Sequence, residues 1–163
     1  KNNLGLNLAG KRVLILGAGG AVRGVIQPML EAGVARIDIA NRTVSRAQAI
    51  ADIFVGDAVS ACGYDQITGP AYDLIVNGTS VRLSGDLPPV PDNAIDAHTC
   101  GYDMMYGATL TPFCAWCESK GARAIDGLGM LVEQAAESFL IWRGVKPSTA
   151  NILSQLRDEL QQK

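Results

Sequence analysis

Residues 12–24 read RVLILGAGGAVRG. Arg12 to Leu16 form a short, continuous apolar run, the pattern of a parallel strand covered on both faces. Gly17-Ala18-Gly19-Gly20 breaks that run, and a helical stretch follows from about Ala21 to Ala32. Gly33 is its stop. Pro28 lies inside the stretch and should bend it or cap its tight part. Strand, glycine turn and helix in direct succession open a βαβ unit.

The rest of the chain repeats the alternation. Ile37–Ala40 is a second strand, and Thr43 caps a helix to about Phe54 on the pattern Val44, Ala47, Ile50, Ala51, Phe54. Ala58–Cys62 reads as a third strand, 64–67 as a short turn or helix, and Asp73–Asn77 as a fourth strand ending in Gly78-Thr79-Ser80. Leu83–Asn93 is rich in Pro and Gly and reads as loop. Thr99–Asp103 is a fifth strand. Thr111 then caps a helix with Pro112 at its first position, stopped by Gly121, and Arg123–Ile125 is a sixth strand. A long helix spans about Gly129 to Arg143, ended by Gly144, and Pro147 opens a last one to about Leu160. The expected fold is α/β: one domain over residues 1–163, a three-layer, doubly wound, Rossmann-like parallel sheet.

Glycines between the first strand and helix let backbone amides approach a pyrophosphate, and the helix N-terminus adds partial positive charge. Gly17, Ala18, Gly19, Gly20 and Ala21 form this candidate cradle. Val22 stands where a small residue usually sits, so helix-to-strand packing should be slightly looser there. About twenty residues on, a dinucleotide domain usually carries an acid for the ribose 2′-hydroxyl. Here residues 41–46 read NRTVSR instead. Arg42 and Arg46 flank a helix N-terminus, where the dipole disfavours cations by roughly 0.3–1 kcal/mol each. An anion between them resolves the conflict, and the 2′-phosphate of NADP is that anion.

A formal net charge of −2, with 48% hydrophobic and 18% charged residues, fits a soluble globular domain with no general affinity for nucleic acid or anionic membrane. No apolar run approaches the ~20 residues of a membrane span. Four cysteines without a secretion signal suggest reduced thiols in the cytoplasm. Cys114 and Cys117 have redox or half-zinc spacing, but His98 is the one histidine and a second cysteine pair is lacking. They read as two packed thiols on a helix, with no metal site.

The segments GAGGAVRG, NRTVSRA, YDLIVNGTS, YDMMY, TPF and DGLGML followed by Gln134 occur in this order. With them the chain resembles the shikimate dehydrogenases, specifically their C-terminal NADP-binding domain. The resemblance implies reversible reduction of 3-dehydroshikimate to shikimate with NADPH, a step of aromatic amino-acid biosynthesis. It places the pyrophosphate at Gly17 to Ala21, and the adenosine 2′-phosphate and ribose at Asn41, Arg42, Thr43 and Arg46. Asn77, Gly78 and Thr79 would line the nicotinamide side, with Met104 and Gly127 against the nicotinamide half. Tyr106 and Gln134 would reach the substrate.

The same resemblance puts the proton donor, a Lys paired with an Asp, in an N-terminal substrate domain. None of Lys1, Lys11, Lys120, Lys146 and Lys163 matches it, so no catalytic residue is assigned in this chain. The expectation is a fragment of a longer enzyme that binds NADP(H) but does not turn over shikimate alone. Residues 1–10 read as a linker remnant. Residues 147–163 read as a helix facing the absent domain, with Ile152, Leu153, Leu156 and Leu160 exposed and available for self-association. The alternatives are a quinate/shikimate variant using NAD, which would tend to carry an acid near Asn41, and a stand-alone NADP(H) sensor, which has no need of Tyr106 or Gln134. A related tRNA-dependent reductase would call for a basic surface.

Overall fold

Arg12–Leu16 (β1) lies at the centre of the sheet because nothing in it beyond its first residue tolerates water. Val13, Leu14, Ile15 and Leu16 have no exposed surface. Val13 and Ile15 enter one apolar layer, Leu14 and Leu16 the other. Full burial of each such side chain stabilises the fold by roughly 1.5–3 kcal/mol. The structure, a computed structural model, describes residues 4–54, 56, 58–79 and 87–162.

The remaining elements are Gly20–Glu31 (α1), Arg36–Ala40 (β2), Val44–Ala51 (α2), Val59–Cys62 (β3), Leu74–Asn77 (β4), Cys100–Asp103 (β5), Pro112–Ser119 (α3), Arg123–Ile125 (β6), Leu128–Arg143 (α4) and Ala150–Gln161 (α5). The strand order is β3-β2-β1-β4-β5-β6, and every pairing is parallel. The chain therefore runs outward from β1 to β3, then returns to β4 on the other side of β1. That reversal opens a crevice at the strands' C-terminal ends, where open α/β sheets bind ligands. The expected three-layer, doubly wound arrangement is present. α1 runs unbroken through Pro28, and Gly33 follows it with φ +82°.

The link from β3 to β4 carries only a 3₁₀ turn at Tyr64–Gln66 where such sheets usually carry a helix. Asp38 of β2 sits in this region, only 5% exposed. It accepts hydrogen bonds from Arg36 Nε (2.8 Å), Ser60 Oγ (2.5 Å) and the Tyr72 hydroxyl (2.8 Å). Arg12 stacks over the Tyr72 ring at 4.6 Å. A polar cluster closes here what an apolar helix would otherwise cover.

The end of the chain departs from expectation. α5 begins at Ala150, not Pro147. Proline drives the residue before it out of the helical region, and Thr149 at the helix start donates its hydroxyl to Glu133 Oε1 of α4 at 2.7 Å. α5 packs back on α4. Of its four apolar residues only Ile152 is exposed; Leu153, Leu156 and Leu160 are half-buried. Among the described residues the most exposed large apolar side chains are instead Ile141 (80%) and Trp142 (77%) at the end of α4, with Val145 (63%) just beyond. Cys114 and Cys117 are buried free thiols on α3, as expected. Burial, with the neighbouring thiols of Cys114 and Cys100, pushes Cys117 up to about 12, so it stays protonated and unreactive.

Burial raises the pKa of Asp38, but the bonds from Ser60, Arg36 and Tyr72 outweigh it and hold the carboxyl below its ordinary value. A depressed folded-state pKa contributes stability that is present above the unfolded value, about 3.9, and lost as pH falls through the folded one. Acid unfolding should therefore steepen below pH ~4. Asp38→Asn should flatten that limb and cost on the order of 1–3 kcal/mol at neutral pH. Denaturant titrations at stepped pH check both; an unchanged acid limb in the variant refutes the role of Asp38.

Candidate functional site

At the C-terminal edge the sheet continues one residue past its strands. Gly17 N–H donates to Ala40 O (2.8 Å), Gly78 N–H to Leu16 O (2.9 Å), Met104 N–H to Asn77 O (2.9 Å) and Asn41 N–H to Cys62 O (3.1 Å). The lacing presses the loops together. Gly17 has φ +99°, and a Cβ on it would lie 3.1 Å from the Gly78 carbonyl. A Cβ on Gly127 would lie 2.4 Å from Met104 O. These two glycines are required by the fold itself.

Gly19 and Gly20 are not. A Cβ at either meets no atom within 4 Å, and Gly19 has an ordinary φ of −93°. With no side chain on either, the first turn of α1 is open to solvent here. That turn has no side-chain cap and no acid, so its amides and partial positive charge face the opening.

The loop after β2 repeats the arrangement. Thr43 occupies the N-cap position of α2, but its side chain makes no capping bond, contrary to expectation. The loop is closed instead by Asn41, whose Nδ2 donates to Thr43 O at 2.9 Å. The first turn of α2 thus has no side-chain cap and no acid; its Arg46 amide bonds back to Thr43 O at 3.0 Å. Arg42 and Arg46 are exposed, and neither forms an ion pair among the described residues. These residues fit a phosphate-bearing cofactor: an open cradle, uncompensated helix ends and two free guanidinium groups.

Packing at Val22 is not loosened. Val22 is fully buried, because Gly78 leaves room for it: a Cβ on Gly78 would lie 2.4 Å from Val22 Cγ2 and 3.2 Å from Met104 Sδ. The bulk that α1 carries at position 22 is absorbed by the glycine after β4.

Beside this crevice lies a cavity of about 250 Å³, walled by Asn77, Thr79, Asp103, Met105, Tyr106 and Phe113 among others. Its organising residue escaped sequence reasoning. Asp103, last of β5 and only 2% exposed, pairs in register with Asn77. Its Oδ1 accepts from Asn77 Nδ2 and from Met105 N, both at 3.0 Å, and its Oδ2 accepts from Thr111 Oγ1 at 2.6 Å. Asn77 Oδ1 in turn accepts from Thr79 N (3.2 Å) and Thr79 Oγ1 (2.6 Å). Thr111 also accepts from Cys114 N (3.2 Å), the expected cap of α3. One carboxylate thus ties the end of β4, the loop after β5 and the start of α3. The signal was present: an acid amid the aromatic and thioether residues of YDMMY.

Of the two expected substrate contacts, Tyr106 is half-buried in the cavity wall, whereas Gln134 is exposed on α4 and does not line the cavity. Lys11 does pair with an acid, Asp73, at 2.7 Å, but before β1 and β4, at the opposite edge of the sheet. Lys120 pairs with Asp92, and Lys146 with Glu137. Among the described residues no cluster of His, Cys, Asp and Glu suits a metal, and no helix is long and apolar enough to cross a membrane.

The shikimate/quinate 5-dehydrogenase profile matches residues 1–83, and the shikimate 5′-dehydrogenase C-terminal domain profile matches residues 127–157. The chain belongs to the shikimate/quinate 5-dehydrogenase family. Within that family it is 52% identical to the shikimate dehydrogenase (NADP(+)) of Cellvibrio japonicus, over 99% of this chain and 59% of that protein. It is likewise 52% identical to the shikimate dehydrogenase (NADP(+)) of Alkalilimnicola ehrlichii, over 96% and 58%. An Ael1 enzyme from Pseudomonas putida superposes with a TM-score of 0.88 at 44% identity, over 94% of this chain and 57% of that one. The chain therefore spans about three-fifths of the length of the relatives it matches.

Gly78→Ala should destabilise the domain by roughly 1–3 kcal/mol through overpacking. Val22→Ala in the same chain should absorb the added methyl, so the double variant is no less stable than Val22→Ala alone. Chemical denaturation of the four proteins measures the coupling. Additive losses would show that positions 22 and 78 do not share that space.

Proposed function

We propose that this chain is the NADP(H)-binding domain of a shikimate dehydrogenase. The observation that carries the reading is the end of β2. Asn41 stands where an acid would select a free ribose 2′-hydroxyl, and Arg42 and Arg46 stand unpaired at an uncapped, acid-free helix start. Relatives at 52% identity named shikimate dehydrogenase (NADP(+)) support it. So does a solved shikimate dehydrogenase in complex with NADP+, at 29% identity and a TM-score of 0.77 over 93% of this chain.

NADPH, when bound, supplies the hydride that reduces the ketone of 3-dehydroshikimate. The chain's own residues bind and orient it. The turn Gly17 to Ala21 admits the pyrophosphate to the free amides of α1. Asn41, Arg42, Thr43 and Arg46 hold the adenosine end, where guanidinium forks give charge-assisted bonds to the 2′-phosphate. Asn77, Gly78 and Thr79, held by Asp103, form the floor of the nicotinamide side, with Met104 and Gly127 closing it. Tyr106 offers a hydroxyl to the substrate from the cavity wall, and Gln134 an amide from α4.

The ketone oxygen needs a proton as hydride arrives, and the remaining two-fifths of the relatives' length is where the Lys–Asp donor would lie. The chain alone accordingly binds NADPH and does not oxidise shikimate. Four free thiols suit a reducing compartment such as the cytoplasm.

Titration with NADPH and NADH, followed by nicotinamide fluorescence, tests this. NADPH should bind at least tenfold more tightly. Arg42→Ala should remove most of that preference, since a hydrogen bond to a charged group is worth about 1.5–3 kcal/mol, and should leave NADH binding as it was. Equal affinity for the two cofactors would overturn the 2′-phosphate assignment and favour the NAD-using quinate variant.

A further inference from the structure

α5 comes back over the ligand-binding edge of the sheet, and one side chain joins it to two of the loops there. Arg157 grips Asp126 with both arms of its guanidinium, Nη1 to Oδ2 at 2.7 Å and Nη2 to Oδ1 at 2.6 Å. Among the described residues no other carboxylate is held by an arginine fork. Arg157 Nη1 also reaches the carbonyl of Gly107, at 3.5 Å. The Asp126 side chain is 16% exposed and that of Arg157 37%.

The two loops so joined are the ones around the cavity mouth. Asp126 directly precedes Gly127, which lies against the Met104 carbonyl and donates its N–H to Met105 O at 2.9 Å. Gly107 directly follows Tyr106. One guanidinium therefore spans the Met104–Gly107 loop and the Asp126–Gly127 turn, which also meet at the Gly127–Met105 backbone bond and at the Met104 carbonyl. α5 has no fully buried residue, and beside its packing on α4 the fork is its charged link to these two loops. A bidentate arginine fixes orientation as well as distance, which a lysine in its place would not.

We propose that Arg157 is a positioning residue. Through Asp126 and Gly107 it sets the gap between the Met104–Gly107 loop and Gly127, and with it the nicotinamide end of the cofactor site. It leaves the adenosine end untouched, because Arg42 and Arg46 lie across β1 on the other half of the sheet. The proposal rests on the NADP(H) reading above and extends it to a helix with no contact to the ligand.

The test uses two ligands on the full chain. NADPH occupies both ends of the site, and adenosine 2′,5′-bisphosphate only the adenosine end. Arg157→Ala should weaken NADPH three- to tenfold and hold adenosine 2′,5′-bisphosphate within twofold of the parent. Arg157→Lys should recover part of the NADPH affinity, and Asp126→Asn should reproduce the selective loss. NADPH affinity within twofold of the parent in Arg157→Ala overturns the proposal. Equal weakening of both ligands also overturns it, since that marks general unfolding rather than positioning. Should Arg157→Ala not fold, unchanged NADPH affinity in both Arg157→Lys and Asp126→Asn overturns it as well. A parent chain that binds neither ligand overturns the NADP(H) reading itself and this inference with it.

Discussion

Everything at the ligand-binding edge depends on how closely β1 and β4 end. Gly17 and Gly78 meet there with no room for a Cβ on Gly17, and the space that Gly78 leaves empty is filled by Val22 of α1. Helix, strand and loop are therefore locked at one spot by the absence of two side chains. The lock places the first turn of α1 over the crevice, and it carries Asn77 and Thr79 toward the cavity. Protein interiors respond to single methyl groups at such contacts, so the site inherits its geometry from packing rather than from loop chemistry.

Two buried acids divide the polar work of the sheet. Asp38 closes the region where the β3–β4 link has no helix, using Arg36, Ser60 and Tyr72. Asp103 organises the cavity, using Asn77, Thr111 and the Met105 amide. Each accepts bonds from three groups, and each would leave those donors unpaired if removed. The first concerns stability, the second the shape of the site.

The helix starts supply the electrostatics. α1 and α2 both begin without a side-chain cap and without an acid in the first turn. α4 and α5 begin the same way, but α1 and α2 do so directly after the C-terminal ends of β1 and β2. The omission leaves amides and partial positive charge directed at one opening, with Arg42 and Arg46 adding full charges. α5 then works from the other half of the edge, by holding loops together and not by charge toward a ligand.

The order of elements was legible in the sequence, because apolar runs of strand length alternate with helical periodicity and glycine stops. The glycine turn, NRTVSR and Tyr106 stood out in the sequence as candidates, since phosphate approach and anion binding restrict residue type locally. The start of α5 was misplaced because Pro147 only marks where a helix can begin, while the bond from Thr149 to Glu133 decides where it does. The Thr43 cap failed for a similar reason: Asn41 had already closed that loop. Arg157 went unread because its carboxylate partner lies 31 residues away, and the role of Asp103 because its link to β4, through Asn77, spans 26. The sequence by itself determined the strand and helix alternation and which residue types stand at the proposed phosphate end, both set by neighbours within a few residues. Only the tertiary structure decided which glycines are required by packing, which acid orders the cavity and which helix braces it, because those depend on atoms that come within 3 Å of each other only after the sheet has formed.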